Sequence, residues 1–219
     1  MPKPRSYHHG NLKQALLDAS LELIRTSGPG GFTLREVARM AGVSHNAPYR
    51  HFRDKEELLA ELAAEGFRRL TVAMVKAADS TTVKADGSPT VKSDGTTSGA
   101  MDRFRASGRG YVEFALAHPQ HFAVMFEPAE GCAVNLQSQQ EGERAFATLV
   151  GYVQACQEEH LLPPGDPLPY ALLAWSMVHG VAKLAISGRL PLPPKGVLDF
   201  ADAATAALTT GIANAFAPR

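Results

Sequence analysis

What the 219-residue sequence has little of narrows it first. It holds two cysteines, Cys132 and Cys156, too few for a disulfide framework and without zinc spacing, so both are expected as reduced core residues. No apolar run reaches the roughly 18 residues of a membrane span, and the opening Met-Pro-Lys-Pro-Arg-Ser-Tyr-His-His puts no apolar stretch behind its charges. The expectation is a cytoplasmic protein with no membrane partner. A nucleophile elbow, a glycine-rich phosphate loop and a paired-histidine metal helix are all missing, which argues against an enzyme and against a cofactor.

Net charge is zero as well, so overall charge names no polyanionic partner. Its distribution does. Residues 1–55 carry nine lysines and arginines against four carboxylates, an excess of +5 that the remainder balances, and His8, His9, His45 and His51 fall in the same stretch. Such asymmetry marks a basic face on an N-terminal module.

Periodicity predicts an all-α protein of eight or nine helices. Leu12, Leu16, Ala19 and Leu23 share one helical face, and the helix at about 11–26 must stop at Ser27-Gly28-Pro29-Gly30-Gly31. Thr33-Leu34-Arg35-Glu36 is a capping box that opens a short second helix, ended near Ala41 by Gly42. Ser44 can cap a third helix over 44–52, and Asp54-Lys55-Glu56-Glu57 opens a fourth to about Ala77. Residues 79–99 turn to Thr, Ser, Gly, Asp and Lys, with Val83-Lys84-Ala85-Asp86-Gly87-Ser88 echoed by Val91-Lys92-Ser93-Asp94-Gly95-Thr96, and are expected as an exposed loop. Helices resume at about 101–117, 122–126, 136–159, 168–187 and 197–216. The fifth of these renewed segments has small residues on one stripe, and 168–187 is apolar nearly all round, so it should be buried on two sides.

Two short helices joined by a Gly-containing turn, with a supporting helix before them, match the helix-turn-helix plan. With Val37, Ala38, Val43, Tyr49 and Phe52 packed inward, His45, Asn46, Ala47 and Arg50 face a major groove. There Asn pairs with adenine, Arg with guanine, His with an acceptor, and Ala with a thymine methyl. Tyr49, His51 and Lys55 suit phosphate contacts. Pro48, four residues after the Ser44 cap, lacks an amide and disturbs the first turn of this reading helix.

The run Phe32-Thr33-Leu34-Arg35-Glu36-Val37-Ala38-Arg39-Met40-Ala41-Gly42-Val43-Ser44, followed by Tyr49-Arg50-His51-Phe52-Arg53-Asp54-Lys55-Glu56-Glu57-Leu58-Leu59, resembles the DNA-binding domain of the TetR family of repressors. Trp175-Ser176-Met177-Val178-His179-Gly180 resembles the Trp…His-Gly signature of one C-terminal subgroup, called WHG. The resemblance implies a reading domain over 1–53 and a helical ligand-binding and dimerisation domain over 54–219. It implies a homodimer built on the last two long helices, a palindromic operator in double-stranded DNA, and a small-molecule effector. By position it carries base contacts to Arg35, His45, Asn46 and Ala47, and phosphate contacts to Thr33, Ser44, Tyr49, His51 and Lys55. Candidate effector contacts are Tyr111, Phe114, Phe122, Met125, Phe126, Trp175, Met177 and His179, although aromatic residues at helical spacing also build plain core. His118 and His121 invite a metal reading, but a histidine beside Pro119 is more simply a helix-end residue. The competing function is a helical protein-interaction module without sequence-specific DNA binding.

Overall fold

A computed structural model describes residues 12–81, 99–127 and 136–215. All regular structure among them is helical: α1 Leu12–Ser27, α2 Leu34–Met40, a 3-10 turn Pro48–Arg50, α3 Lys55–Ser80, α4 Ala100–Ala117, α5 Pro119–Phe126, α6 Leu136–Glu158, α7 Leu168–Ile186 and α8 Pro194–Ala215. The all-α class expected from periodicity is what forms. The basic N-terminal arm, Cys132 and nearly all of the 79–99 stretch lie outside the described residues. Asp79 and Ser80 belong to α3, which therefore runs one turn beyond the expected end.

The chain divides into two compact units, one formed by residues 1–66 and 120–139, the other by 67–119 and 140–219. In the first, the apolar stripe of α1 contributes Leu16, Leu17, Ala19 and Ile24 to a core completed by Phe32, Leu34, Val37, Phe52, Leu58, Leu59, Leu62 and Val124. At about 25 cal/mol per Å2 of apolar surface, burial of each of the Leu, Ile, Val and Phe side chains contributes roughly 1.5–3 kcal/mol. Gly66 lies close to α5: a Cβ there would come within 2.5 Å of the Met125 sulfur, so a larger residue requires the Met125 side chain to shift.

In the second unit α4 packs on both α7 and α8, which also pack on each other. Close approach is built in by glycine: a Cβ on Gly110 would meet the Ala73 carbonyl at 2.7 Å, and one on Gly108 would meet Val178 at 3.3 Å. Several polar groups in this interior have partners within it. Thr205 and Thr209 are buried and donate to the carbonyls of Ala201 and Thr205, and the Arg105 guanidinium donates twice to the Thr209 hydroxyl, at 2.8 and 3.0 Å. The expectation that α7 is buried on two sides is only half met. Tyr170, Ala171, Ala174, Val178, Val181 and Ala182 are buried, whereas Leu168, Leu172, Leu173 and Leu184 are exposed, as is Phe200 on α8.

Candidate nucleic-acid interface

The local backbone of the reading module follows from four sequence positions. Thr33 is the N-cap of α2, accepting from the Glu36 amide while the Glu36 carboxylate accepts from the Thr33 amide at 2.8 Å, the reciprocal box read from sequence. These bonds hold the Glu36 carboxyl below its usual range, chiefly through the Thr33 hydroxyl and then the Thr33 amide. At the other end Gly42 has φ +71°, and the amides of Gly42 and Val43 return to the carbonyls of Arg39 and Ala38 at 3.2 and 3.0 Å. That double bond pattern ends α2 and needs a residue without a Cβ at position 42. Asp54 caps α3 by accepting from the Glu57 amide at 2.8 Å, and the Glu57 carboxylate reaches one residue further back, to the Arg53 amide at 2.6 Å. Asp54 is likewise held low, first by Arg53 and then by the Glu57 amide.

The fourth position is Pro48, and here the structure corrects the expected third helix. Instead of an α-helix over 44–52 there is a chain of tight bonds, Ala47 amide to Ser44 carbonyl, Arg50 to Ala47 and His51 to Pro48, with only Pro48–Arg50 forming a 3-10 turn. Proline has no amide to give to the Ser44 carbonyl, so the bond that would begin an α-helix cannot form and the segment winds more tightly. Its ring is fully buried instead.

This rewinding moves two side chains from their expected faces. Ala47, expected in the groove, is buried at 8% exposure, while Tyr49, expected to pack inward, is 52% exposed. Ser44, His45, Asn46, Tyr49, Arg50 and His51 are all exposed, and Phe52 alone of this stretch's large side chains enters the core. Arg35 is exposed on α2, beside Arg39 and Met40. Arg39 and Arg53 also stand exposed on this unit. Spacing alone singles out neither, although both belong to its basic excess.

Lys55 differs more sharply from expectation. Its ammonium donates to the carbonyls of Gly30 at 2.8 Å and Phe32 at 3.2 Å, and lies 5.1 Å from the Phe32 ring centre. Two of its three protons are thus spent on the loop between α1 and α2, holding the start of α3 to that loop. Nothing in the spacing of the sequence could show a bond across 25 residues.

Of the candidate effector contacts, Tyr111, Phe114, Trp175, Met177 and His179 belong to the second unit, and Phe122, Met125 and Phe126 to the first. The Tyr111 hydroxyl is 2.9 Å from His179 Nδ1 and accepts from the Trp175 indole at 3.4 Å. Since the indole only donates, the hydroxyl's own proton is available to the imidazole. Burial lowers the His179 pKa and raises that of Tyr111, so both are neutral near pH 7. Phe146 lies against Trp175, ring centres 5.6 Å apart. Phe122 and Phe126 pair at 4.9 Å in the first unit, and Phe114 packs on His118 at 5.1 Å. His118 ends α4 as its C-cap. Among the described residues no three His, Cys, Asp or Glu side chains gather as a metal cluster, and no helix is long and apolar enough to cross a membrane. Cys156 is a buried free thiol whose pKa is pushed up to about 12 by burial and by the Glu159 carboxylate.

Residues 16–62 match the N-terminal model described as bacterial regulatory proteins of the tetR family, and 104–208 match a tetracyclin repressor-like C-terminal domain. The chain is 36% identical to a structure of a protein of unknown function from Rhodococcus sp. RHA1, with 96% of this chain and all of that one covered and a TM-score of 0.76. The TetR family regulator PfmR from Thermus thermophilus shares the fold at TM-score 0.66, with 18% identity over 90% of this chain and 98% of that one. Over 50 residues the chain is 40% identical to the HTH-type transcriptional regulator AcrR of Shigella flexneri, a stretch spanning 23% of either protein. A helix-turn-helix module followed by a helical bundle defines a DNA-binding transcriptional regulator. The chain belongs to the TetR family.

Proposed function

We propose that the protein is a homodimeric repressor that leaves a palindromic operator when a small apolar effector binds, acting in the cytoplasm with residues 1–53 as reading domain and 54–219 as effector and dimerisation domain. The observation that carries this reading is the exposed set on a rigidly capped module: Arg35, His45, Asn46 and Arg50 for base edges, Ser44, Tyr49 and His51 for phosphates, with Thr33 placing the α2 amides. Ala47, being buried, drops out of the base-reading set, and Lys55 serves as an internal brace that leaves one proton for a phosphate. Dimerisation falls to the exposed apolar faces of α7 and α8, where Leu172, Leu173, Leu184 and Phe200 stand in water in the single chain. Two reading heads on a twofold axis call for half-sites about one helical turn, or a multiple of it, apart.

The effector is assigned to the surroundings of Tyr111, Trp175 and His179, where a neutral hydroxyl and imidazole lie among aromatic rings. Such a lining favours a weakly polar molecule over a charged one. DNase footprinting upstream of the protein's own gene tests the proposal: a protected palindrome, lost on Arg50→Ala, is expected. One observation favours the competing interaction module, namely that Pro48 replaces the reading α-helix with a 3-10 turn. Binding of similar strength to every duplex, unaltered by Arg50→Ala, would support that module instead.

A further inference from the structure

Two arginines, Arg39 and Arg53, stand exposed on the reading module outside the set assigned above. Their surroundings differ in charge. Arg53 donates from Nε to Asp54 at 2.8 Å, and its own amide donates to the Glu57 carboxylate. Its guanidinium pKa is raised, first by the Asp54 hydrogen bond and charge and then by Glu57 and Glu56. Three carboxylates thus act on it, and residues 53–57 hold only one other cation, Lys55, whose ammonium is turned to the Gly30 and Phe32 carbonyls. A phosphate approaching Arg53 meets carboxylates of its own sign.

Arg39 is the opposite case. It lies in the last turn of α2, four residues after Arg35, so the two side chains leave one face of the helix about 6 Å apart. That face is turned from the core, which takes Leu34, Val37 and Ala38 from the other side. Among the described residues Arg39 makes no hydrogen bond or ion pair. The one carboxylate of α2, Glu36, accepts from the Thr33 amide and hydroxyl at 2.8 and 2.9 Å. It is held low first by the hydroxyl, then by the amide, and last by the charge of Arg39. The helix therefore carries two cations against one carboxylate that is already bonded. In a helix-turn-helix the first helix crosses the sugar–phosphate backbone while the element after it enters the groove. A guanidinium with no partner on the outer face of that first helix is complementary to a phosphate, whose oxygens it can hold with two parallel bonds. Arg39 also offsets the carbonyl end of α2, a structural use that adds no salt dependence to DNA binding.

We propose that Arg39 is a further DNA contact of the reading module, its guanidinium meeting a backbone phosphate where α2 crosses the strand, and that Arg53 is not one. The assignment rests on the DNA-reading proposal above and extends it to a residue outside the reading turn.

The full-length protein is titrated by fluorescence anisotropy against a duplex from upstream of its gene and a scrambled duplex of the same length, between about 50 and 200 mM NaCl. Arg39→Ala is expected to reduce the slope of log affinity against log salt by about one for each reading head bound. It weakens both duplexes by the same factor, because a phosphate carries no sequence. Arg39→Lys, which keeps the charge, restores the slope. Arg53→Ala changes neither slope nor affinity, and thermal unfolding shows all three variants folded. An unchanged slope in Arg39→Ala, a slope change of the same size in Arg53→Ala, or a loss confined to the upstream duplex would overturn the assignment, as would no binding to either duplex. Equal affinity of the wild type for the two duplexes counts against the operator reading, whereas the slope change in Arg39→Ala supports this assignment on either duplex.

Discussion

The two units differ in where their exposed side chains are polar and where they are apolar. The first unit buries Leu16, Val37, Phe52, Leu58 and Leu62 almost completely, along with Ser20 and His121, and shows water Arg35, Ser44, His45, Arg50 and His51 around its turn. The α4–α7–α8 bundle likewise buries Thr205, Thr209, Ser107 and the Tyr111 hydroxyl, but it exposes four leucines and a phenylalanine. Large exposed apolar side chains gathered on two adjacent helices are what a surface awaiting a partner looks like. The difference teaches that the reading module is complete in one copy, whereas the bundle is proposed to be finished by a second.

The sharpest break in that comparison is a cavity in the complete half. Phe52→Ala removes a core aromatic that is 2% exposed and is expected to cost about 3–5 kcal/mol, enough to unfold the module, as thermal and urea unfolding will show. A change at the exposed apolar face of the other half acts differently. Leu173→Glu with Phe200→Glu is expected to leave the monomer folded, since both are exposed, and to shift sedimentation from dimer to monomer at micromolar concentration. A stable dimer in the double variant would end the proposed interface.

Smaller effects sharpen the contrast. Thr33→Ala, which removes one N-cap, should cost about 1 kcal/mol in unfolding experiments. Acid should erode the same feature: Glu36 and Asp54 have folded pKa values below their ordinary ones, so their contribution is present at neutral pH and fades as pH falls through the folded values. The bundle has its own dependence. His179 is half-buried with a lowered pKa, so the unfolded chain binds its proton first, and stability falls as pH drops below the ordinary histidine range. His179→Gln should flatten that part of the stability profile.

How far the sequence reached follows the same division. The capping box at Thr33, the Gly42 stop and the Asp54 cap were legible because they are local, each decided by residues within four positions. Pro48 was legible as a disturbance, yet its outcome was not. Losing one amide could bend an α-helix or abolish it, and packing of the proline ring in the core decided for a 3-10 turn, which buried Ala47 and exposed Tyr49. Lys55 was out of reach because its partners, the Gly30 and Phe32 carbonyls, are far away in sequence. In the bundle, α7 was expected to be buried on two sides because periodicity reports apolar residues without saying whether a neighbour from the same chain covers them.

The central claim is that the exposed set around the Pro48 turn reads DNA. It is tested most directly by titrating the wild-type protein and Tyr49→Ala against the region upstream of its gene in a footprinting experiment with competitor DNA. The expected result is one protected palindrome, occupied with two subunits per site, with Tyr49→Ala requiring about tenfold more protein for the same protection. Uniform, competitor-sensitive coverage that Tyr49→Ala leaves unchanged would contradict it.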